Sequence, residues 1–313
     1  MKIFDTVAFL YPIWYTEPYF RREGGMKMDY GKREAVRVSE ILGCALLFSM
    51  LVLLAVSLGE GRESAEQGRL FLQLIRLVGF FLPAIWGVWR FRRLSVRFPA
   101  MTEKASLNKS LAVMLSTFGI IMIIQIFYTA VFPSVVPRVG VDSAETATEI
   151  FALFFFSTVI PAVAEEVFFR GFFLRSMRIF RASLAVLMSA LVFALMGFSV
   201  EGFPLLFVTG LLLGMAYVAT NSLHAVIAVQ FLYRAFWFLE ETVSLYMPQG
   251  YMNLMQVGLA VCVLLSASGL PYLKENMRAF FENDDERAIP SAYFWTVPTI
   301  LFVGLAAGIQ LWL

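Results

Sequence analysis

A chain of 313 residues has the length of two soluble domains, but 59% of it is hydrophobic and only 15% is charged. Soluble proteins carry about 25% charged residues, so this composition excludes a soluble fold and predicts an all-α, multi-pass membrane protein. The net charge of +2 leaves no basic excess to favour nucleic acid. The two cysteines, Cys44 and Cys262, lie in apolar runs, and His224 is the single histidine. Neither a disulfide framework nor a Cys- or His-based metal site is expected, and no cofactor is expected.

The chain opens on a cytoplasmic N-terminal segment, 1–40. Within it, residues 7–20 are rich in Phe, Tyr and Trp but broken by Pro12 and Pro18, the composition of an interfacial anchor. Asp5 and Glu17 interrupt this stretch, so it does not read as a signal peptide. Apolar stretches long enough for helical spans then follow at 41–59, 71–89, 111–132, 150–168, 183–198, 204–219, 223–245, 254–273 and 293–313. A span needs about 20 apolar residues. The fifth and sixth stretches are short, so one can be a buried half-span and the expectation is eight to nine spans. Three spans fill 41–144, a core region fills 145–245, and two spans fill 246–313.

Alternate loops carry twenty Lys and Arg residues on one side and three on the other. The bias predicts a cytoplasmic N-terminus in the cell membrane.

An ionised side chain inside a bilayer costs at least ~2.5 kcal/mol, so function is sought among charges within spans. Arg76 in the second stretch can snorkel to the interface. The fourth stretch ends Pro161-Ala-Val-Ala-Glu165-Glu166-Val-Phe-Phe-Arg170-Gly171. Glu166 and Arg170 are four apart and share a helix face, whereas Glu165 points about 100° away. Pro161 removes the amide that would bond to the Ser157 carbonyl, so a helix irregularity is expected just before the glutamates. One paired and one unpaired carboxylate beside a kink can act as a general base. A neutralised cluster at a helix end is the other reading. The seventh stretch carries Gln230 and Arg234 at its middle, then Glu240 and Glu241.

Glu165-Glu166-x-x-x-Arg170-Gly171 at the end of an apolar helix resembles the first motif of the CAAX prenyl endopeptidase and bacteriocin-processing (CPBP, or Abi) family of intramembrane proteases. Ser189-x-x-x-Phe193 resembles the helix of the second motif. Phe207-x-x-Gly210-x-x-x-Gly214-x-x-Tyr217, followed by Thr220-Asn221-Ser222-Leu223, resembles the Gly-rich helix and the turn into the third motif. Gly210 and Gly214 have the spacing that lets helices approach closely in a bilayer. The resemblance covers about residues 145–240. It implies a CPBP-like helical core in which Glu165 activates a water, with Glu166 and Arg170 completing the motif.

The same resemblance exposes departures. The family's second motif ends in a histidine where this chain has Gly197. Its third motif carries a histidine, then Asn or Asp four residues later, where this chain has Gln230 and Arg234. His224 lies six residues before Gln230, about 240° around the helix, and is a poor substitute. Glycine offers no donor, and a glutamine cannot transfer a proton near neutrality.

Three functions are therefore open: a catalytically impaired relative, or pseudoprotease, that binds a membrane protein or lipidated peptide in the former active-site cavity; a working glutamate-dependent endopeptidase; and a transporter-like membrane component. Arg234 is expected to find a carboxylate partner, either Glu165 across the cavity or Glu241 farther along its own helix.

Overall fold

The computed structural model describes residues 26–60, 66–93, 105–136, 141–143, 146–178, 180, 182–282 and 294–312. The aromatic segment 7–20 lies outside them, as do parts of the basic loops. Among the described residues the regular structure is entirely helical. The helices are α1 (Met26–Glu60), α2 (Glu66–Arg93), α3 (Leu107–Val131), α4 (Ala147–Met177), α5 (Ala182–Leu195), α6 (Phe203–Thr220), α7 (Leu223–Tyr246), α8 (Pro248–Glu282) and α9 (Val297–Trp312). Each apolar stretch of the sequence corresponds to one of them, although 111–132, 183–198 and 293–313 run past the helix bounds.

Six of these helices, α1, α2, α3, α4, α6 and α8, are long and apolar enough to cross a membrane. Helix α5 has 14 residues, about 21 Å at 1.5 Å per residue, and is too short for a hydrocarbon core of about 30 Å. Helix α9 is also short, at 16 residues. Helix α7 has the length but carries Arg234, Glu240 and Glu241. The outer surface is apolar: Leu264 is 72% exposed and Phe151 68%, while Glu166 and Arg170 are wholly buried. Apolar side chains outside and charges inside suit a lipid solvent.

Local signals set the boundaries. Ser106 caps α3 by accepting from the amide of Lys109. Thr146 and Glu149 form a reciprocal capping box that starts α4. Helix α6 ends on Asn221 in the left-handed region, at φ 49°, and Ser222 then caps α7 by accepting from Ala225. This tight turn is what points α7 back along α6.

Helix α4 holds the centre of the bundle, with α2, α5, α6 and α7 around it. Phe80 of α2 packs on Phe168 and Phe169 of α4, each at 5.6 Å, and Phe169 meets Phe193 of α5 edge-on at 5.1 Å. Small residues allow the closest approaches. A Cβ on Gly210 would stand 2.9 Å from the Ala190 Cα, and one on Gly214 would stand 3.0 Å from Val186. These two glycines bring α6 against α5. Helix α8 lies along α3, where the Ser116 hydroxyl donates to the Ser266 carbonyl at 2.7 Å.

The motif glutamates do not close the fourth helix. Helix α4 runs on from the expected end at residue 168 to Met177, so Glu165, Glu166 and Arg170 sit inside the helix rather than at a helix end. Phe168, Phe169, Phe172 and Phe173 are all buried, and their continuing apolar burial is why the helix extends.

Candidate active site

Helix α4 departs from α-geometry on both sides of the glutamates. Residues Phe155–Val159 form a π-turn, Ile160–Glu166 return to α, and Val167–Leu174 are again π-helical. The first π-turn falls where Pro161 withholds an amide. Such bulges rotate the side chains that follow and often occur at functional sites. Here they aim Glu165 and Glu166 at different neighbours.

Glu166 turns to Arg170. The Arg170 Nη1 donates to Glu166 Oε1 at 2.8 Å, with both side chains fully buried. The Arg170 Nη2 donates to the Gly210 carbonyl at 3.3 Å. The guanidinium also lies over the rings of Phe193 at 4.9 Å and Phe169 at 5.8 Å. Planar Arg can serve a carboxylate, a carbonyl and two aromatic faces together, and Lys cannot. Among the described residues, Glu166 Oε2 meets no hydrogen-bond donor.

Glu165 turns to α7. The Arg234 Nη2 donates to both of its oxygens, at 2.6 and 2.7 Å, and Gln230 Nε2 donates to Oε2 at 3.1 Å. The Arg234 Nη1 donates to the Ser157 carbonyl at 3.3 Å. That is the carbonyl left without its amide by Pro161. One guanidinium therefore neutralises the motif carboxylate and fills the gap in the π-turn. Glu165 and Arg234 side chains are 10% and 26% exposed, so the pair is largely removed from the surface.

Glu241 of α7 serves elsewhere. Glu241 accepts from the Val141 amide at 2.9 Å, which fastens the turn before α4 and leaves Glu165 as the partner of Arg234. Tyr233 donates to Gln125 of α3 at 3.1 Å. His224 is exposed in the first turn of α7.

Gly197 faces α6. Helix α5 ends at Leu195, and Gly197 lies in the turn beyond, where a Cβ would meet Leu206 Cδ1 at 2.2 Å. The space beside residue 197 is filled by this leucine of α6. Ser189, from the same motif, donates to the Phe169 carbonyl at 3.3 Å and joins α5 to the π-helical part of α4.

Sequence reasoning found the charged residues and the freed Ser157 carbonyl. It missed that Arg234 occupies that carbonyl, and it missed the backbone acceptor at Gly210 and the Tyr233–Gln125 contact. Gln125, a polar residue in an otherwise apolar span, was the available signal for the last. Among the described residues no three His, Cys, Asp or Glu side chains come together as a metal-ligand set.

Residues 147–236 match the family described as type II CAAX prenyl endopeptidase Rce1-like. No curated protein and no solved structure matches the chain. The matched segment runs from the start of α4 to the middle of α7 and contains Glu165, Glu166, Arg170, Gln230 and Arg234. Over residues 147–236, under a third of its length, this polytopic helical membrane protein is similar to the type II CAAX prenyl endopeptidase Rce1-like family.

Proposed function

We propose that this CPBP-type membrane protein is an impaired endopeptidase, and that it binds a membrane protein or a lipidated peptide between α4 and α7 without cleaving it. One observation carries the reading: Glu165 receives three hydrogen bonds, two from Arg234 and one from Gln230. A carboxylate offers about four lone-pair sites. A general base must also stand within hydrogen-bond reach of the water it deprotonates. Arg234 occupies that reach with a group that cannot accept a proton, and Gln230 cannot relay one. Losing donors from such a constellation lowers rates by orders of magnitude.

The ligand class is taken from the matched family, which is described as a type II CAAX prenyl endopeptidase. The uneven loop charge favours a cytoplasmic N-terminus in the cell membrane.

The test is a reconstituted assay. The full-length protein in liposomes is incubated with a prenylated CAAX peptide, and products and bound peptide are both measured. Saturable binding with no cleavage above a Glu165→Ala control supports the reading. Cleavage by the unaltered protein that Glu165→Ala abolishes would overturn it. Labelling of single cysteines introduced at 90 and 178 from the cytoplasmic side tests the orientation.

A further inference from the structure

The described helices distribute charge unevenly between the two ends of the bundle. Helices α1 and α2 are joined by a short connection and pack together, so the start of α1 and the last turn of α2 share one end. Helix α4 finishes at the same end: Phe91 of α2 packs on Phe172 at 5.9 Å, and a Cβ on Gly87 would stand 2.3 Å from the Phe172 ring. Arg90, Arg92 and Arg93 occupy the last turn of α2, with Arg175 and Arg178 close to the end of α4. Among the described side chains, the acids on the facing part of α1 are Glu34 and Glu40. The opposite end carries Asp142, Glu149, Glu201 and Glu241 instead.

The last turns of α2 have a defined outer face. Leu82 (51% exposed), Ile85 (62%), Trp86 (39%) and Trp89 (50%) follow one another at helical spacing. Arg90 lies four residues beyond Trp86, and Arg93 four beyond Trp89, so both continue this stripe. Buried Phe91 pins the opposite face to α4. The Arg93 guanidinium lies over the Trp89 ring at 5.2 Å. Apolar side chains at acyl-chain depth give way to indoles and then to guanidiniums, which is the order of layers from the hydrocarbon outward. Three arginines also exceed what the helix end needs, because its dipole amounts to roughly half a negative charge.

The geometry points to a binding site for the phosphate of an anionic phospholipid on this face of α2, with Arg90 and Arg93 holding the headgroup and Trp86 and Trp89 lying along the glycerol and upper acyl chain. The apolar stripe selects a lipid as the occupant. An acidic soluble partner would touch the arginines and leave Leu82 and Ile85 uncovered. The site is independent of Glu165 and Arg234, so it stands or falls separately from the proposed function.

Quenching of tryptophan fluorescence by brominated lipids tests it in the full-length protein. The protein is placed in phosphatidylcholine vesicles in which the same minor fraction of lipid is either brominated phosphatidylcholine or brominated phosphatidylglycerol. Stronger quenching by phosphatidylglycerol, weakened by salt, is expected. Each surface cation near an anionic leaflet is worth roughly a factor of five. The double variant R90Q/R93Q is therefore expected to lose on the order of twentyfold of the preference. R90K/R93K keeps the charge and is expected to retain most of it, which separates loss of the site from loss of the fold. An unchanged preference in R90Q/R93Q would overturn the proposal, as would equal loss in R175Q/R178Q. Displacement of brominated phosphatidylglycerol by an acidic polypeptide would assign the surface to a protein partner and equally overturn it.

Discussion

Arg234 of α7 reaches the carboxylate of Glu165 and the carbonyl of Ser157 together, and so bridges the two sides of the break that Pro161 makes in α4. Removing the guanidinium leaves a carboxylate and a carbonyl short of donors at once. Breaking a buried ion pair from one side costs about 3–5 kcal/mol in proteins generally. Arg234→Leu is expected to fall in that range, read by equilibrium unfolding of the full-length protein in detergent. Arg234→Lys is expected to lie between Leu and the native residue, because one ammonium cannot serve both acceptors as a guanidinium does. Equal stability of all three would mean that the bridge carries nothing.

Arg170 gives a sharper contrast. It satisfies Glu166 and Gly210 and lies over two phenylalanine rings at full burial. Arg170→Lys keeps the charge but loses the planar stacking and the second donor arm. It is expected to cost at least ~2 kcal/mol, and Arg170→Leu more, since Glu166 is then buried without its cation. A lysine variant as stable as the native protein would contradict this account of the site.

Glycines divide by what faces them. A Cβ on Gly269 would stand 2.1 Å from the Ala112 carbonyl oxygen, and one on Gly119 would stand 2.5 Å from that of Cys262. Backbone cannot give way as a side-chain tip can, so Gly269→Ala and Gly119→Ala are expected to lose about 1–3 kcal/mol or more by forcing α3 and α8 apart. Gly304 has nothing within 4 Å of its Cβ position. Gly304→Ala is expected to be neutral or to stabilise α9 by up to about 1 kcal/mol. The same unfolding measurement ranks all three.

Gly197→His tests whether a histidine at this position is enough for cleavage. The new side chain must displace Leu206, at about 1–3 kcal/mol of overpacking, while Arg234 still holds Glu165. No cleavage of a prenylated peptide is expected. Cleavage by Gly197→His that depends on Glu165 would show that the ion pair is no obstacle.

Much of this was legible in the sequence, and the reasons differ by residue. The helices were visible because lipid demands long apolar runs, and the Glu166–Arg170 pair because four-residue spacing is fixed by helix geometry. The end of α4 was not visible. Its continuation past Phe168 depends on Phe172 and Phe173 packing against α2 and α5, which no local signal encodes. The π-turns were foreshadowed only by Pro161. The choice of Glu165 over Glu241 as partner for Arg234 depended on how α4 and α7 cross, and on Glu241 being taken by Val141. Gly197 was expected within a helix, and the chain turns there instead.

A double-mutant cycle between positions 165 and 234 tests the central claim most directly. Glu165→Leu, Arg234→Leu and the double variant are unfolded alongside the native full-length protein under one set of conditions. The account predicts a coupling energy of at least ~2 kcal/mol, with the double variant more stable than the sum of the single losses implies. Losses that add to within ~0.5 kcal/mol would show that the two residues act independently, and Glu165 would then be free to hold a water.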